Sequence, residues 1–67
     1  MILIDSLAIR DIMIKRQLGI KELANMTKIP TSTISHIAKA DKKVTFKTAG
    51  KLIKALEIEP ETIIKSV

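Results

Sequence analysis

Cysteine, tryptophan and tyrosine are absent, Phe46 is the only aromatic residue and His36 the only histidine. Without cysteine the chain can form neither disulfides nor thiolate metal sites, and one histidine leaves a structural zinc without a ligand set. A reducing cytoplasm fits that composition, and no metal or cofactor is expected. One aromatic residue also argues against recognition of single strands or RNA loops by base stacking. Long apolar runs are missing as well. The Met1–Ile4 run is too short for a signal-peptide core, and no stretch approaches the roughly 18 residues of a membrane span. The two glycines make no phosphate-cradling loop, the acids are scattered, and no nucleophile–base pairing stands out. A chain of 67 residues is also short for enclosing a substrate cleft. Catalysis is not expected.

What is present is an uneven excess of positive charge. The net charge is +5, yet residues 28–54 carry seven lysines against Asp41 alone, and residues 55–67 are net acidic. Basic clustering of this kind is an electrostatic footprint for a polyanion, although a lysine-rich solvated surface has the same composition.

Apolar residues recur at helical spacing, and no segment alternates convincingly with period two. The pattern predicts one all-α domain over residues 1–67, a compact bundle of four to five short helices. The first helix is expected from an N-cap at Asp5 or Ser6 to about Gln17, the second from Ile20 to Thr27 and the third from Pro30 to Lys39. Gly19 suits the end of the first or the entry of the second. Residues 40–44, ADKKV, read as a charged loop. Thr45 then caps a fourth helix in which Phe46, Ala49, Leu52, Ile53 and Leu56 recur, so Phe46 is expected in the core. Gly50 within that helix suggests a close neighbouring helix. Glu59-Pro60-Glu61 opens a fifth helix.

The segment from Gly19 to Ile37 carries the functional signal. It reads as a helix, a break at Ile29-Pro30 and a second helix, the unit that sets one helix into the major groove of duplex DNA. Ala24 falls ten residues before Ile34, where two steeply crossed helices come closest and a small side chain is needed. The outward positions of the third helix, Thr31, Ser32, Ser35, His36 and Lys39, can all hydrogen-bond to base edges or phosphates.

With Leu23-Ala24, Ile29-Pro30, Ser32-Thr33-Ile34-Ser35 and Leu52–Ile58 at these spacings, the chain resembles the Cro/repressor-type (XRE-like) helix-turn-helix family over about Ile9 to Ile64. The resemblance implies a lambda-repressor-like fold of five helices. It also implies a double-stranded operator bound by dimers, and a transcriptional regulator of Cro-like, phage or mobile-element type. Carried onto this sequence, it assigns Thr31, Ser32, Ser35 and His36 to bases, and Lys21, Thr33, Lys39, Lys42, Lys43 and Lys47 to phosphates. Three positions depart from the family pattern. Ile20 stands where Gln is common, Lys28 stands where the turn usually has Gly and should therefore be left-handed, and Ala38 replaces a common Glu.

Two apolar surpluses remain, one at Ile2, Met13 and Ile14 and one at Ile63, Ile64 and Val67. The second is expected to serve a weak homodimer that forms fully only on DNA. The first leaves open another function, that of a small modulator or antirepressor that binds a repressor protein.

Overall fold

The computed structural model describes residues 1–65. In chain order it contains β1 (Ile2–Ile4), α1 (Ser6–Lys15), α2 (Ile20–Thr27), α3 (Thr31–Lys39), β2 (Lys42–Val44), α4 (Phe46–Leu56) and α5 (Pro60–Ile63). Each helix starts where a local acceptor or a proline favours it. The Asp5 carboxylate accepts from the amides of Leu7 (3.0 Å) and Ala8 (3.3 Å), so Asp5 rather than Ser6 is the N-cap of α1. Gly19 opens α2, and its amide donates to Glu22 Oε1 at 2.8 Å. Thr45 Oγ1 accepts from the Thr48 amide at the start of α4, and Pro60 occupies the first turn of α5.

The ends of α1, α2 and α4 share a device that the two glycines do not supply, whereas α3 ends in extended backbone at Ala40. Gln17, Lys28 and Glu57 adopt φ of 54°, 62° and 53°, the left-handed conformation that turns the chain out of a helix. Each is followed by an apolar residue, respectively Leu18, Ile29 and Ile58, that packs against or within the core. The amides of those residues reach back to the carbonyls of Met13, Ala24 and Ile53 at 2.8, 3.3 and 3.3 Å. As a result α1 ends at Lys15, two residues before the position expected from the sequence.

The all-α expectation needs correction. The residues read as a charged loop form β2, which pairs antiparallel with β1 in the register Ile2–Val44, Leu3–Lys43 and Ile4–Lys42. The other side of β1 meets the chain after α5. There Asp5 N–H donates to the Ile63 carbonyl at 2.7 Å, and Lys65 N–H donates to the Leu3 carbonyl at 2.9 Å. Ile4 is therefore flanked on both sides and fully buried.

Ile9 of α1, Leu23 and Ala24 of α2, Ile34 and Ile37 of α3, and Ala49, Leu52 and Leu56 of α4 make the core with Ile4, Ile29, Val44 and Ile63. Phe46 is not part of it. This ring is 75% exposed, because its place at the first turn of α4 lies off the Ala49–Leu52–Leu56 stripe. Gly50 has no atom near enough to explain it by close approach and lies on the exposed side of α4. Ile63, expected on a dimer surface, is fully buried, so of the pair Ile63 and Ile64 assigned to that interface only Ile64, half-buried, still reaches the surface. Val67 lies outside the described residues.

Candidate nucleic-acid interface

The α2–α3 unit is fixed by its inner face. Leu23, Ile34 and Ile37 are fully buried and Ala24 nearly so, as the spacing of ten residues requires. Thr27 is buried too, and its hydroxyl donates back to the Leu23 carbonyl at 2.7 Å, so no polar atom is stranded in the crossing. Lys28, at φ 62° and ψ 33°, is the left-handed residue anticipated from its place in the turn. Ile29 inserts into the core behind it, and Pro30 caps α3 in extended conformation.

With the inner face pinned, the outer face of α3 is determined. At about 100° per residue, Ser32, Ser35, His36 and Lys39 fall within an arc of about 100° opposite Ile34 and Ile37. All four are exposed. Thr31, also exposed, lies on one flank of that arc, and Thr33, half-buried, lies on the other. The four residues named as base-reading candidates are thus all accessible, and no other element's side chain bonds to them among the described residues.

Lys21 at the start of α2, Lys39 at the end of α3, and Lys47 on α4 are exposed. Lys42 and Lys43 are exposed as well, but neighbouring residues of a strand point to opposite faces of the sheet. Lys43 shares the face of Leu3, and Lys42 shares that of Ile4 and Val44, so the two ammonium groups are not interchangeable. Ile20, where Gln is common, is half-buried and packs on the core.

Two residues that position this surface were not singled out from the sequence. Asp41, the lone acid of the basic stretch, joins three parts of the chain. Its Oδ1 accepts from the Ser6 amide (2.9 Å) and Ser6 hydroxyl (3.1 Å), and its Oδ2 pairs with Lys65 Nζ at 2.7 Å. The Lys65 hydrogen bond first, and the Ser6 amide next, hold its carboxyl at about 2, below the ordinary 3.8. Lys65 is raised in return by the same contact. The stretch between α3 and β2 is thereby tied to the N-terminus of α1 and to the segment after α5. Lys51 is half-buried and directs its ammonium to the Lys28 carbonyl, a long contact of 3.5 Å over the turn. A single acid within a run of lysines was the visible signal for Asp41. Lys51 carried none.

A family model described as the Cro/C1-type HTH DNA-binding domain matches residues 8–67. The chain belongs to that family. No curated protein and no solved structure matches it. Membership in the Cro/C1-type family makes this a DNA-binding domain, and the matched span includes α2, the turn and α3. No helix among the described residues is long and apolar enough to cross a membrane. Also among the described residues, no group of three His, Cys, Asp or Glu side chains could hold a metal ion.

Proposed function

We propose that the protein is a sequence-specific, double-stranded DNA-binding transcriptional regulator that acts by occupying its operator, as a Cro-like repressor does. In this reading α3 lies in the major groove. Thr31, Ser32, Ser35 and His36 address base edges, while Lys21, Thr33, Lys39, Lys42, Lys43 and Lys47 address phosphates. The observation that carries the reading is the polar, accessible outer arc of α3 on a helix whose inner face is locked by Ile34 and Ile37.

Serine and threonine accept and donate to several bases, so discrimination rests on several modest contacts together with the register set by phosphates. One such unit covers one half-site, and two copies on successive turns sit about 34 Å apart. The backbone extents of 28 × 21 × 21 Å let two copies at that spacing come within side-chain reach.

Affinity measured against salt tests the proposal. Four to six phosphate contacts per protomer release enough counterions for log K to fall against log salt with a slope of about −4 to −5. A slope near zero between low and physiological salt would overturn it.

A further inference from the structure

We propose that α1 carries a self-complementary face that pairs two copies of this chain in parallel about a two-fold axis. Leu7 and Ile14 lie seven residues apart on one line of α1 and are 67% and 76% exposed. The inner side of the same helix is spent on Ser6 and Ile9, which are buried. Helix geometry sets Arg10 and Asp11 about 50° to either side of the Leu7–Ile14 line, one positive and one negative. Both are exposed.

The charges select the occupant and its direction. A two-fold axis parallel to α1 sets Leu7 against Leu7 and Ile14 against Ile14. It also brings Arg10 of each copy beside Asp11 of the other, giving two opposite-charge pairs that flank a small apolar seam. An antiparallel pairing would oppose Arg10 to Arg10 and Asp11 to Asp11. Lys15 already pairs with Asp11 through Oδ2 at 3.0 Å, which leaves Oδ1 free to accept from an arginine across the axis. Two apolar residues per copy make a weak dimer, populated at high concentration or where DNA gathers the chains. None of the four residues lies on α3, so the outer arc of the third helix stays free in both copies. The proposal concerns the free chain and does not rest on DNA recognition.

The lack of cysteine makes a direct test available. Leu7→Cys and Ile14→Cys, each alone and then mixed, are equilibrated in a glutathione redox buffer beside a Glu61→Cys control. Parallel pairing predicts that each of the first two forms a disulfide with its own kind, at least about tenfold more readily than the control. Arg10→Asp alone and Asp11→Arg alone should each weaken association by about tenfold or more in sedimentation, and mixing the two should restore it. All these positions are exposed, so circular dichroism should be unchanged. Three results would each overturn the proposal. These are cross-linking only between Leu7→Cys and Ile14→Cys, single charge variants that associate like the parent, and a chain that stays monomeric at about 0.5 mM, including one that instead captures a different protein.

Discussion

Replacing Lys28 by glycine should stabilise the protein, although it removes a side chain from the turn that holds α3. Lys28 sits at φ 62° and ψ 33°, where a Cβ crowds the following carbonyl at a cost of about 1–2 kcal/mol. Glycine escapes that cost but gives back about 0.4–1 kcal/mol through the greater freedom of its unfolded chain. The backbone contacts survive, since the Lys28 amide still donates to Ala24 (2.8 Å) and the carbonyl still faces Lys51. Lys28→Ala is the matched reference, because it loses the same charge and keeps the strain. Lys28→Gly should therefore be about 1 kcal/mol more stable than Lys28→Ala, or about 4–8 °C higher in Tm for a domain of this size. Urea titrations with equal slopes would measure the difference. A glycine variant no more stable than the alanine variant would show that the left-handed turn is not the strained point.

Other perturbations test the elements around that turn. Ala24→Leu should overpack the crossing with Ile34 and cost about 1–3 kcal/mol, a large part of the stability of so small a fold, as read from thermal denaturation. Asp41 predicts a pH window. Its native carboxyl at about 2 lies below the ordinary 3.8, so its contacts stabilise the fold fully above about pH 4 and are lost as the pH falls through 2. Asp41→Asn should flatten stability against pH in that interval, and an acid titration as steep as the parent's would contradict the assignment.

Much of the helical framework was legible because its signals are local. Asp5, Thr45 and Pro60 mark helix starts in their own neighbourhoods, and the Ala24–Ile34 spacing fixes the crossing whatever surrounds it. The two strands were not legible. Three residues are too few to display alternation, and Ile2 finds Val44 only after three helices intervene. Asp41 was hidden for the same reason, since its partners lie 35 and 24 residues away. Phe46 and Gly50 show the opposite failure, a local pattern read too far. Helical spacing counted Phe46 with the core, yet the first turn of α4 extends past it, and Gly50 marks no close contact. For the candidate interface, the accessible arc of α3 follows from where Ile34 and Ile37 point, which their spacing already implied. The opposite directions of Lys42 and Lys43 required the strand.

Selection of preferred duplexes from a random pool, run on the parent, Ser32→Ala and His36→Ala, tests α3 as the reading helix most directly. Each variant should fold as the parent does and keep its salt slope. Each should also shift preference at particular base pairs by about 1–3 kcal/mol, because the lost contact reads a base and not a phosphate. A preferred sequence identical in all three proteins would contradict the placement of α3 in the major groove.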